Sequence, residues 1–339
     1  MSLDPLWLPD GNDVFLDIVG ACNLSCPSCG QGNSRGARRF RGVMQLPLFE
    51  RILDKVEAEA PGPGRPRIHL FNWGEPLLHP RAPDFVRAVK ARGLVCRLSS
   101  NLVRPRDLRA VVEARPDWLR VSVSGFWQST YGVTHRGGDV ARVKDNLRTL
   151  RRLMDELGVP LHVDVNYHRY RHNCAEDLVA MRNLVEELRF SFTPVWAIPA
   201  PVEKVVRWLE EGVPPQDQPL VDLLVIGLEE AREISLRHAG ELPAGECPLG
   251  RMVLIGADGS AELCCATYDV EPVATSYLEV PAPEIAARKL RHPACGPCMR
   301  NGLHLTGLYA GMAERDARAA AVLEAQFAAL PSAPAASTA

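Results

Sequence analysis

From Asp13 to Val19 (DVFLDIV) the chain alternates and then runs apolar, the pattern of a sheet or barrel strand. Leu46–Ala60 then carries apolar residues at Leu48, Ile52, Leu53 and Val56, the spacing of an amphipathic helix, and Pro61-Gly62-Pro63-Gly64 ends it. The exchange of period two for period 3.6 recurs along the next stretch. Strands are expected at Arg67–Trp73, Leu94–Ser99, Trp118–Ser124, Leu161–Tyr167 and Phe190–Ile198. Helices are expected around Pro83–Arg92, near Pro105–Ala114, over Val140–Leu157 and over Ala175–Leu188. Repeats of about thirty residues, strand then helix, call for a parallel sheet with right-handed crossovers. Six strands predict an α/β fold of the partial (β/α)6 TIM-like barrel type. A doubly wound sheet is disfavoured, because no glycine-rich dinucleotide turn follows the first strand.

After Pro199 the pattern changes. Glu203–Glu211 and Leu220–His238 read as connecting helices. A short hairpin is expected next: Arg251–Ile255, a turn at Asp258-Gly259, then Ala261–Cys265. A helix around Pro283–Leu290 precedes Cys295-Gly296-Pro297-Cys298, and a last helix spans Thr306–Leu330. The predicted division is a barrel over 1–200, a helical linker over 201–246, a cysteine-rich domain over 247–330 and a disordered tail over 331–339.

Composition narrows the class. The 339 residues are 46% hydrophobic and 24% charged, enough for an ordinary core, with a net charge of −2. There is no basic run of five or more, so no nucleic-acid partner is expected. The N-terminus lacks a basic region followed by an apolar core, and no apolar run reaches 18 residues. Neither a secretion signal nor a membrane span is therefore read. Ten cysteines without such a signal point to a reducing, cytoplasmic setting and to metal binding.

Cys22, Cys26 and Cys29 form a C-x3-C-x2-C run just after the first strand. Three thiols this close cannot all pair as disulfides. Zinc would need a fourth ligand, and neither His nor Cys follows within the next dozen or so residues. An iron–sulfur cluster tolerates three protein ligands when its fourth iron is kept for something else. Run and position resemble the signature of the radical S-adenosylmethionine (SAM) superfamily. The resemblance covers roughly residues 13–200 and implies a SAM-chelating [4Fe–4S] cluster on those three cysteines. Gly74-Glu75-Pro76 follows the second strand, where the family places a segment that binds the methionine amino group. By the same resemblance Ser99, Asn101, Ser122 and Ser124 at strand ends would contact ribose and carboxylate. Arg136 would pair with the SAM carboxylate, a task suited to guanidinium. The family usually carries an aromatic residue before the third cysteine. Here Ser28 stands there, so another aromatic replaces it or the adenine pocket is wetter.

Cys247, Cys264, Cys295 and Cys298 resemble the ligand set of the "twitch" domain, the half-length version of the SPASM extension. That resemblance implies a second, auxiliary [4Fe–4S] cluster, although a structural zinc site has the same ligand types and spacing. Cys264 is chosen over Cys265 because it fits a Gly-x4-Cys spacing from Gly259. The spare thiols are Cys96, Cys174 and Cys265. Cys174, flanked by Asn173 and Glu176 in a pattern like a capping box, is expected to open the helix after the fifth strand. Helix starts after barrel strands face the site mouth, so Cys174 is the candidate hydrogen-atom donor.

Twitch-bearing relatives include a dehydrogenase of an aminocyclitol and epimerases of aminoglycoside antibiotics. SPASM relatives often modify peptides, frequently with an extra N-terminal recognition domain. Only about a dozen residues precede the first strand here, and no such domain is expected. A small, polar, sugar-like substrate follows, with Asn72, Asp164, Asn166 and His168 as candidate contacts. An external donor such as flavodoxin or ferredoxin would supply electrons. A carbinol radical that gains a hydrogen atom from a thiol gives the epimer, and one that loses a proton and an electron gives the ketone. The spare thiol ranks epimerisation ahead of dehydrogenation. Decarboxylation or dehydration of a nucleoside sugar and peptide maturation come after.

Overall fold

The computed structural model describes residues 11–33, 42–59, 64–241, 247–307 and 310–328. Six strands fall where the alternation placed them: β1 (Asp13–Leu16), β2 (Arg67–His69), β3 (Val95–Ser100), β4 (Trp118–Val123), β5 (His162–Arg169) and β6 (Ser191–Trp196). Each is shorter than, or shifted by a residue or two from, its expected span. The crossover helices are Leu46–Glu59, Ala82–Ala91, Leu108–Glu113, Val140–Leu157 and Glu176–Glu187. They cover the sheet with buried stripes such as Phe49, Ile52, Leu53 and Val56 on the first. Every strand pairing is parallel. An open parallel sheet whose strands all face one layer of helices is a partial TIM barrel.

The seventh strand is a departure. β7 (Val253–Ile255) was expected as one arm of a hairpin, yet it lies parallel beside β1 and the order is β6-β5-β4-β3-β2-β1-β7. The expected hairpin is present as a short antiparallel contact: Ile255 bridges Ala261, Gly256 N–H donates to the Ser260 carbonyl and Glu262 N–H to the Leu254 carbonyl, both at 2.9 Å. The barrel core consequently runs into the cysteine-rich segment, with Ile255, Leu263, Val273 and Ile285 buried beside Leu16 and Met44.

Two long helices are broken. Leu220–His238 divides into Gln218–Val221 and Leu228–Arg237. Between them the carbonyl of Leu223 accepts the N–H of Arg171 at 2.9 Å, and that of Leu224 accepts Arg171 Nε at 2.8 Å. Carbonyls taken by a tertiary donor no longer close helical turns. The last helix is Leu303–Gly307 and then Met312–Ala328, with Gly311 at φ +68° before the second part. The expected turn at Pro61-Gly62-Pro63 and the tail 331–339 lie outside the described residues. Among those described, no helix is long and apolar enough to cross a membrane.

Candidate active site

The cysteine loop leaves the top of β1 and is wound tightly. Cys29 N–H donates to the Cys26 carbonyl at 3.2 Å, and Gly32 and Asn33 N–H donate to the Cys29 carbonyl. A Cβ on Gly32 would stand 2.2 Å from the Cys26 oxygen, so the turn admits only glycine. All three cysteines are free thiols, and Cys22 and Cys29 both act electrostatically on Cys26. Burial, reinforced by nearby Glu75, pushes the Cys22 thiol up to about 12. A metal bound here must displace that proton. Two donors already point at the sulfur: Leu24 N–H at 3.4 Å and Asn101 Nδ2 at 3.6 Å. Three free thiols on one short loop, with N–H donors aimed at one of them, are the donor chemistry of an iron–sulfur cluster.

Gly74-Glu75-Pro76 is bound to the floor of this loop. Asp17, just past β1, accepts the N–H groups of Asn72, Trp73 and Gly74, and burial raises its carboxyl to about 6 against those three bonds. Gly74 needs its missing side chain, since a Cβ would meet the Val19 oxygen at 1.7 Å. Glu75 was expected to offer its carboxylate to an ammonium. Instead it is 4% exposed and accepts from Leu77 N–H, Ser100 Oγ and Asn101 N–H. Burial pushes it up to about 7. The carboxylate braces β2 against β3, which leaves backbone groups of the segment to face a ligand. Pro76 opens the short turn Pro76–Leu78 that Glu75 caps.

The other predicted contacts divide. Ser99 and Ser122 are half-buried on the face of β3 and β4 opposite their apolar residues, and Ser122 lies level with Asn166 on β5. Ser124 is buried against Thr134 and His135 Nδ1, the latter at 2.5 Å, and is thus a packing group. Arg136 keeps an exposed side chain, while its carbonyl accepts Ser25 N–H at 2.9 Å, so the residue stands on the cysteine loop. Asp164 is hydrogen-bonded by Thr193 at 2.6 Å, Asn166 and His168 share its face of β5, and Asn72 serves through its backbone. Sequence reading missed Arg97 and Arg120 on the same inner face, where both lie over the Trp118 ring. Their signal was present: W-L-R-V-S-V alternates with the polar positions half-buried.

An aromatic side chain stands beside Ser28. Tyr170, 3% exposed, comes from the end of β5 and places its hydroxyl 2.8 Å from Ser28 Oγ. Cys174 hangs from the same residue, its thiol donating to the Tyr170 carbonyl at 2.9 Å. It packs with Trp196, Ile226 and Ile234. Trp196 alternates away from Val195, Thr193 and their lumen-facing partners on β5, so the thiol sits towards the connecting helices rather than towards the barrel mouth. Nor does the capping box form: the helix begins at Glu176 with no side-chain cap, and Asn173 bonds Tyr170 N–H, Ser124 O and His168 O.

Cys247, Cys264, Cys295 and Cys298 all line one cavity of about 550 Å³, and Cys265 does not. Its walls are otherwise mostly apolar, with buried Lys289 among them. Among the described residues no three His, Cys, Asp or Glu side chains are gathered as ligands of a single metal ion. A roomy, thiol-lined space is nonetheless the donor chemistry of an iron–sulfur cluster. Cys96 is a buried core residue of β3. The two cysteine regions touch through Tyr268, whose hydroxyl lies 2.6 Å from Gln31 and whose ring meets Trp73 edge-on.

Residues 16–170 match the family model of the radical SAM superfamily. Over 112 residues the chain is 36% identical to the tungsten-containing aldehyde ferredoxin oxidoreductase cofactor-modifying protein of Pyrococcus furiosus, which covers 32% of this chain and 30% of that protein. Over 113 residues it is 34% identical to the GTP 3',8-cyclase of Chlorobaculum tepidum, 32% of each. The chain thus matches about a third of the length of these curated relatives. Among solved structures, Streptococcus suis SuiB bound to precursor peptide SuiA superposes with a TM-score of 0.56 at 13% identity, covering 84% of this chain and 66% of that one. Native anSMEcpe with bound AdoMet gives 0.53 at 13% identity, covering 80% and 79%. At such identities the likeness is one of fold.

Proposed function

We propose, starting from a chain whose residues 16–170 match the radical SAM family model, that this enzyme takes a hydrogen atom from a carbinol carbon of a small, sugar-like substrate and oxidises it to the ketone. Cys22, Cys26 and Cys29 would hold the SAM-chelating cluster, and the backbone of Gly74–Pro76, Ser99, Asn101, Ser122 and Arg136 would hold SAM. Cys247, Cys264, Cys295 and Cys298 would hold the auxiliary cluster. When bound, SAM and its cluster supply a 5′-deoxyadenosyl radical, given an electron from a flavodoxin- or ferredoxin-like donor. The chain's own part is to fix these groups, exclude water and present polar side chains to the substrate.

The observation that carries this reading is the single cavity shared by the four C-terminal cysteines. It offers a place for an electron acceptor, whereas the placement of Cys174 behind β6 weakens the case for a thiol donor. That reverses the order the spare thiol suggested. The polar row of half-buried Arg97, Ser99, Arg120, Ser122 and His168 with buried Asn166 favours a hydroxyl- and amine-bearing ligand over an apolar one. Epimerisation stays as the second reading on one observation: burial keeps the Cys174 thiol up at about 11, hence protonated and able to give a hydrogen atom.

Incubation with SAM, reductant and aminocyclitol or aminoglycoside candidates in D2O separates the outcomes. A ketone without solvent deuterium supports the proposal. An inverted carbinol carrying deuterium replaces it with epimerisation. Turnover of peptides alone overturns the substrate class.

A further inference from the structure

Among the described residues, Lys289 in the cavity wall has no acidic side chain as an ion-pair partner. It lies on the helix Ala282–Leu290, is 5% exposed, and shares the cavity with all four cysteines. Its Nζ donates to the Met252 carbonyl at 2.5 Å. After its own burial, the ionisable groups that act most on it are the thiols of Cys264, Cys265, Cys295 and Cys247. The cysteines also lie close to its backbone, Cys295 Sγ being 3.6 Å from the Lys289 carbonyl oxygen. One carbonyl satisfies one of three N–H groups, and burying an ammonium without a counter-charge is costly. The chain has placed a cation where only an anionic group makes sense of it.

Four thiolates around a four-iron core leave a net negative charge, which grows by one on reduction. A positive charge held nearby at low dielectric favours the more negative, reduced state. We propose that Lys289 is the built-in counter-cation of the C-terminal cluster and raises its reduction potential. This rests on the auxiliary-cluster reading given above. It assigns to Lys289 no ligand role and no contact with substrate. The side chain acts through its charge alone, held in place by Met252.

The test uses the full-length chain carrying C22A, C26A and C29A, reconstituted with iron and sulfide, so that the C-terminal centre is seen alone. Iron content and midpoint potential, from a redox titration followed by electron paramagnetic resonance, are compared for Lys289, K289M, K289R and K289Q. The expected result is about four irons in each, K289R near the unaltered chain, and K289M and K289Q about tenfold less reduced at a fixed potential, a shift of ~59 mV for one electron. Iron retained by K289R but lost from K289M and K289Q supports the same conclusion through assembly. An unmoved potential in K289M with iron retained overturns the inference. Loss of iron from all three variants also overturns it, because shape would then matter and charge would not. Zinc in place of iron in the unaltered chain overturns the cluster reading itself and this inference with it, whereas the other failures leave that reading standing.

Discussion

Glu75 Oε2 accepts the backbone N–H of Asn101 at 2.7 Å, and Asn101 turns its Nδ2 towards Cys22 Sγ at 3.6 Å. One buried carboxylate is therefore two hydrogen bonds from the cysteine loop. Its other oxygen is engaged by Leu77 N–H and Ser100 Oγ, so every partner is a donor. Glu75→Gln sets an amide N–H against one of them. The expected loss is about 1–3 kcal/mol of stability together with weaker SAM binding, read by thermal melting and equilibrium dialysis. Unchanged values in both would show that the brace is dispensable.

Replacing Cys22, Cys26 and Cys29 together by alanine should abolish 5′-deoxyadenosine formation and leave the C-terminal iron in place. Replacing Cys295 and Cys298 should lower iron by about half in the otherwise native chain. Metal analysis and chromatography of SAM products check both.

Gly74→Ala puts a methyl 1.7 Å from the Val19 oxygen, and the obstacle is backbone that cannot swing aside. We expect a cost of about 1–3 kcal/mol or more and loss of SAM binding. A protein that melts and binds like the native one would refute the close approach.

His135 supplies a pH dependence. Burial first, and the neighbouring His168 charge second, lower its imidazole to about 3 from an ordinary value of 6.5. Between those values the unfolded chain binds a proton that the folded chain refuses, so this residue's contribution is full above pH 6.5 and falls as the pH drops towards 3. Buried carboxylates with raised values, Asp17 and Glu75, act in the opposite sense, so the comparison must be between variants. His135→Gln should lose less stability than the native chain between pH 6.5 and 5, by about 1–2 kcal/mol in denaturant titrations. Parallel pH curves would remove His135 from the account.

Cys174 decides between the two reactions. Under oxidation, Cys174→Ala leaves the ketone and its rate unchanged, because the thiol faces Trp196 and Ile234. If the variant stops epimer formation while SAM cleavage continues, the thiol is the donor and the second reading stands. Mass spectrometry of products in D2O distinguishes the cases.

What could be read beforehand follows a physical line. Six strands and their helices were legible because one face of each is buried, which writes a period into the sequence. The cysteine loop stands out in the sequence because its three thiols are neighbours in the chain. Residues that meet only in three dimensions left no such mark. Tyr170 reaches Ser28 across 142 positions, and nothing in either local pattern announces it. Glu75 shows a subtler failure: two of the three donors that occupy its carboxylate, Ser100 and Asn101, come from the far end of β3. Val253-Leu254-Ile255 suits a hairpin arm and a buried parallel strand equally well, and periodicity does not choose a partner.

That strand has a consequence for how the protein is made. β7 closes the open side of β1, pairing Val14 with Val253 and Leu16 with Ile255, and Asp17 N–H donates to the Ile255 carbonyl at 3.0 Å. On the ribosome β1 emerges well before β7. The strand that carries the cysteine loop therefore waits, bare along one edge, while some 240 residues are synthesised behind it. A nascent chain stalled before Val253 presents that raw edge to its neighbours, and chaperones rather than catalysis govern its fate.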